Sequence, residues 1–123
     1  MLPCLKSLLS FTVLFLCATL ASEANSCEPV SLEQFHAQIL TLKRPLTLAF
    51  FSTWCADCKT ELEKINQSSD KGKFILISEF DSLERVNRNL TALKIEARCY
   101  FDKEGKIKDE FGVKVVPTEK ELK

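Results

Sequence analysis

Two cysteines separated by two residues, Cys55-Ala56-Asp57-Cys58, directly follow Trp54 and are the residues of this chain best suited to chemistry. Thiols at that spacing can bind a metal, close a structural disulfide or exchange electrons with another disulfide. A zinc site needs two further ligands at similar spacing. Apart from Cys4 and Cys17 in the first residues, which read as a targeting segment, the chain offers only Cys27, Cys99 and its single histidine, His36, none of them paired in sequence, so no metal is expected. His36 reads as a flanking residue of the first helix. A purely structural Cys55–Cys58 bridge would close a very small ring and remove little entropy from the unfolded chain. Redox exchange fits the position better. Cys55 falls between an apolar run and a helical pattern, where its sulfur meets the unpaired N–H groups of a first turn. That partial positive charge favours a thiolate, Lys59 adds a cation nearby, and Asp57 opposes both. Cys55 is therefore the expected attacking thiol and Cys58 the resolving one, with no cofactor required.

The elements that must hold this pair are readable from periodicity. Ser31 and Gln34 have capping-box spacing and open a helix whose apolar face is Leu32, Phe35, Ile39 and Leu42, stopped by Lys43-Arg44-Pro45. Leu46 to Phe51 is short, continuous and apolar, as in a buried central strand. After the motif, Cys58, Leu62 and Ile65 share one helical face while Lys59 and Glu63 pair on the other. Phe74 to Ile77 reads as a second buried strand. A helix carrying Leu83, Val86, Leu90 and Leu93 follows, then a third strand at Ala97 to Phe101, a turn at Asp102-Lys103-Glu104-Gly105 and a short helix ending near Phe111-Gly112. Strands alternating with helices predict an α/β fold, a mostly parallel sheet flanked by helices.

The chain has 123 residues, room for one domain, and 17 basic against 17 acidic residues, a balance that gives no electrostatic reason to expect a nucleic-acid partner. Its first residues read as a targeting segment. Lys6 precedes an uncharged core from Leu8 to Leu20, about 20 Å as helix and short of a membrane's hydrocarbon thickness. Small residues follow in cleavage-site positions. Residues 1–24 are expected to be a signal peptide, or an uncleaved membrane anchor, and 25–123 the domain. Export places the remaining cysteines in an oxidising compartment. Residues 22–29 read as a loose polar leader. Cys27 and Cys99 have two open readings, as unreactive thiols or as a structural disulfide.

The run from Phe50 to Lys59, containing Trp54-Cys55-Ala56-Asp57-Cys58, resembles the active-site signature of thioredoxin-like proteins. Phe111-Gly112-Val113-Lys114-Val115-Val116-Pro117-Thr118 resembles that family's second signature. Within the superfamily the chain is similar to the exported TlpA/ResA-like branch, on its targeting segment, its extra helix and strand between Ser82 and Phe101, and Asp102-Lys103-Glu104-Gly105. The resemblance implies a thiol–disulfide oxidoreductase of the periplasm or another extracytoplasmic space. Its partners would be protein disulfide substrates, apocytochromes in cytochrome c maturation among them, and a membrane or envelope electron donor. It also implies a cis Pro117 beside Cys55, substrate pairing at Val116, and a role for Glu61 in thiol ionisation and proton transfer.

Two departures qualify it. Ala49 stands where cytoplasmic thioredoxins carry a buried Asp, and the residues after Thr118 lack the pattern of the family's closing strands and last helix. The domain is accordingly expected to be truncated after the cis-Pro motif, with the central strand unpaired on one side and catalytic competence in question. Alternative functions are a peroxiredoxin-like antioxidant, a copper-delivering metal-binding module and an inactive fragment.

Overall fold

The computed structural model describes residues 26–123. They form β1 (Glu28–Val30), α1 (Leu32–Ile39), β2 (Leu46–Phe51), α2 (Ala56–Gln67), β3 (Phe74–Ser78), α3 (Leu83–Ala92), β4 (Arg98–Asp102), α4 (Lys106–Glu110) and β5 (Thr118–Leu122). The expected signal segment lies outside the described residues.

The apolar run of β2 explains the architecture. Leu46, Leu48 and Phe50 point to one side and Ala49 and Phe51 to the other, and all five are buried, so both faces need cover. The sheet order is β1-β4-β3-β2-β5, parallel throughout except for β5, which runs antiparallel to β2. On one face α2 and α3 bring Cys58, Leu62, Ile65, Val86 and Leu90 onto Ala49, Phe51, Leu76 and Cys99. On the other, Phe35 and Ile39 of α1 and Ile107 of α4 pack on Leu48, Phe50, Ile75, Ile77 and Tyr100. Phe35 meets Tyr100 and Phe111 edge to face, with centroids at 5.8 and 6.3 Å. Each such ring pair contributes about 0.5–1.5 kcal/mol beyond the area it buries. The Ser31–Gln34 capping box opens α1 as its spacing predicts.

Two expectations are overturned. β2 is not left unpaired: Thr118 to Leu122 matches Phe50 back to Leu46 in register, so a first strand after the cis-Pro motif is present. It escapes a search for apolar runs because it is an edge strand. Its ladder bonds to β2 need only main chain, and charged Glu119, Lys120 and Glu121 suit an edge. No further strand or helix follows among the described residues. The supposed leader is also partly structured. Glu28–Val30 pairs with β4, and Cys27 is disulfide-bonded to Cys99, 72 positions away. The backbone N–H of Cys27 donates to Asn87 Oδ1 of α3 at 2.8 Å.

Candidate active site

Cys55 and Cys58 are joined as a disulfide where β2 gives way to α2. Cys55 is the N-cap of α2. Its Sγ accepts from the Cys58 backbone N–H at 3.2 Å, a donor aimed where negative charge would appear on a reduced Cys55. Cys55 is partly exposed and Cys58 fully buried, the asymmetry expected of an attacking and a resolving thiol.

The turn carrying Cys55 is strapped to the segment after β3. Ser52 Oγ donates to the Glu79 carbonyl at 2.6 Å, and Thr53 donates from N and Oγ1 to Asp81 Oδ2 at 2.7 and 2.6 Å. Trp54 Nε1 donates to the Phe80 carbonyl at 3.0 Å, which fixes the indole although it is 62% exposed. Hydrogen bonds to a carboxylate such as Asp81 contribute about 1.5–3 kcal/mol each. Phe80 holds a left-handed backbone (φ 56°), uncommon for a bulky residue and frequent at functional sites.

The opposite wall is the arm after α4. Gly112 (φ 66°) ends that helix, with the Val113 N–H returning to the Lys108 carbonyl at 2.8 Å. The arm then brings Val116 to the dithiol, with its carbonyl 3.7 Å from Cys55 Sγ, and the Val116–Pro117 bond is cis. The fold thus brings Val116 and the cis bond to Pro117 against the Trp54–Cys58 segment, from which they are distant in sequence. Lys59 is on the rim and turned to Glu63 at 3.8 Å, an exposed i,i+4 pair contributing about 0.3–0.5 kcal/mol. His36 lies away from the dithiol, its Nε2 2.7 Å from Glu110 Oε2, and ties α1 to α4.

Glu61 lies one turn beyond Cys58 on α2, and it meets an acid that sequence reasoning missed. Glu119 of β5 sits opposite Ala49 in register and hydrogen-bonds to Glu61. The Glu119 carboxyl is pushed up to about 7, first by that hydrogen bond, then by desolvation and the Glu61 charge, with Lys64 opposing. A second carboxyl pair, Glu79 with Asp102, is buried behind the site. Nothing in local pattern marks either pair, because each joins segments far apart in sequence.

Solved structures share this fold. A secreted Mycobacterium tuberculosis disulfide oxidoreductase homologous to E. coli DsbE superposes with a TM-score of 0.56 at 18% identity, over 64% of this chain and 68% of that one. The reduced N-terminal domain of PilB from N. meningitidis gives 0.52 at 18% identity, over 68% and 67%. At that identity the likeness is one of fold, and the fold is thioredoxin-like. No curated protein sequence matches the chain. A family model does, over residues 13–122, and with the thioredoxin-like sheet and its dithiol it shows that the chain belongs to the AhpC/TSA family.

Proposed function

We propose that this protein is an extracytoplasmic thiol–disulfide oxidoreductase that exchanges disulfides with protein substrates. The observation that carries the reading is the Cys55–Cys58 disulfide at the N-terminus of α2 beneath the Val116 carbonyl. In the reducing direction the Cys55 thiolate attacks a substrate disulfide and expels one substrate thiolate. Cys58, losing its proton, then attacks Cys55 Sγ, expels the second substrate thiolate and leaves the protein oxidised by two electrons. An envelope electron donor returns those electrons. Trp54 supplies an apolar contact surface, and the Val116–Pro117 arm offers backbone for an extended substrate segment. Glu61, with Glu119, takes the Cys58 proton. Lys59 adds long-range positive charge only. The targeting pattern at 1–24 supports export, cleaved or anchored, and substrates such as apocytochromes fit a reductant of that compartment.

Family membership favours peroxide reduction as a second reading, since peroxiredoxins share the fold. A Cys58→Ser variant separates the two. It cannot resolve a mixed disulfide, so incubation with oxidised insulin should leave a covalent adduct on Cys55, found by non-reducing electrophoresis and peptide mapping. Absence of an adduct, with Cys55 inert to alkylation at pH 7, overturns the oxidoreductase reading. Rapid oxidation of Cys55 by hydrogen peroxide in that variant, without insulin capture, favours the second.

A further inference from the structure

Glu79 takes no part in that chemistry, yet it is 2% exposed and its Oε2 has no hydrogen-bond partner. Its carboxyl instead shares a hydrogen bond with Asp102, the last residue of β4 and itself buried. Two carboxyls that close and that dry cannot both be ionised, so one keeps a proton. Asp102 is the one already engaged as an acceptor. Its Oδ1 accepts from the Ile107 N–H at 3.2 Å and its Oδ2 from the Lys108 N–H at 3.0 Å, at the opening of α4. The proton therefore resides on Glu79, whose carboxyl is pushed up to about 10, by burial first and by Asp102 next.

Position gives this pair its meaning. The Glu79 and Phe80 carbonyls and the Asp81 carboxylate anchor the Ser52–Trp54 turn on one wall of the dithiol site. Asp102 grips α4, which runs into the arm that forms the other wall. Lys108 of α4 also lies 5.5 Å from the Phe80 ring. The Glu79–Asp102 bond thus joins the two walls from behind.

We propose that Glu79, through its hydrogen bond to Asp102, is a positioning residue that sets the spacing between the Trp54–Cys55 turn and the Val116–Pro117 arm, and so the fit of protein substrates. This rests on the oxidoreductase reading. Glu79 touches no reacting atom. The charged groups around it are Asp102 from β4 and Lys108 and Asp109 from α4; β2 leads into Ser52, which does not titrate. Ionising Glu79 at alkaline pH sets two like charges against each other with only Lys108 in compensation, which pushes the walls apart.

Glu79→Gln keeps a donor for Asp102 and cannot ionise, whereas Glu79→Leu keeps the volume and removes the donor. The measurement is KM and kcat for reduction of insulin, a protein disulfide, and of oxidised glutathione, a small one that needs no cleft, across pH 6–10. Glu79→Leu should raise the insulin KM about fivefold or more, the worth of one hydrogen bond, with kcat and glutathione turnover unchanged. The wild-type insulin KM should climb above pH 9 and that of Glu79→Gln stay level. Unchanged insulin KM in Glu79→Leu, or equal losses on both substrates, overturns the inference. If Glu79→Leu does not fold, the Gln profile decides, and a rise parallel to wild type overturns it. Wild-type protein inactive on both disulfides overturns the oxidoreductase reading itself, whereas active wild type with unmoved variants overturns this inference alone.

Discussion

Three acids stand beside Cys58 along α2 or one contact beyond it. Asp57 precedes it, Glu61 follows one turn later, and Glu119 reaches Glu61 from β5. On the Glu119 face of the sheet, β2 presents Thr47, Ala49 and Phe51, none of which titrates, β5 adds Glu121, and α2 brings Lys64 as an opposing cation. With the Glu119 carboxyl raised to about 7, the pair holds a shared proton below neutrality and loses it above. In the role proposed for the pair, its ionised form accepts the Cys58 proton, so the rate of mixed-disulfide resolution should rise with pH through about 7. Glu119→Gln removes the like-charge repulsion, and that limb should move to lower pH by about one unit or more. Stopped-flow release of the second substrate thiol, against pH, checks it; a profile identical to wild type assigns Glu119 no part.

At the scale of elements, the sheet depends on its two least apolar strands. β1 is three residues long and would be marginal alone, but the Cys27–Cys99 bridge fixes its start against β4, and the Cys27 amide is tied to α3. A cross-link spanning 72 positions constrains the unfolded chain strongly. Replacing both cysteines with Ala should cost about 2–4 kcal/mol in chemical denaturation and remove hydrogen-exchange protection from β1 while β2 and β3 keep theirs. Unchanged stability would show that the bridge adds nothing to the packing of β4 and α3. β5 has the complementary task. It satisfies the open edge of β2, so Leu48 and Phe50 remain covered, and it carries Glu119 to the dithiol side.

For the whole molecule, the costliest group is Glu79. Its folded value of about 10 exceeds the 4.5 of an accessible Glu, so between those limits the native state holds a proton that the unfolded chain has released. The stabilising contribution is complete below about pH 4.5 and is lost progressively as pH rises towards 10. Above pH 7, where Glu119 no longer contributes, wild-type stability should fall relative to Glu79→Gln by about 1 kcal/mol per pH unit. Urea denaturation of both proteins at pH 7.5 and 9 reads the slope, and parallel stabilities at the two values would mean that Glu79 is ionised in the native state.

The amino-acid sequence by itself determined whatever is local. The CxxC motif at a strand–helix junction, the Ser31–Gln34 cap, the apolar faces of three helices and the apolar runs of β2 and β3 all rest on residues a few positions apart. Those patterns sufficed for an α/β sheet and for naming Cys55 and Cys58. Tertiary structure alone decided the pairings between distant segments. The polar strands β1 and β5 look like loops until a neighbour's main chain satisfies theirs, and the choice of Cys99 as the partner of Cys27 follows from β4 lying beside β1. The same holds for the acids. Glu79 and Glu119 look like surface residues in a polar context, and only the sheet order places one against Asp102 in the interior and the other against Glu61 beside the dithiol.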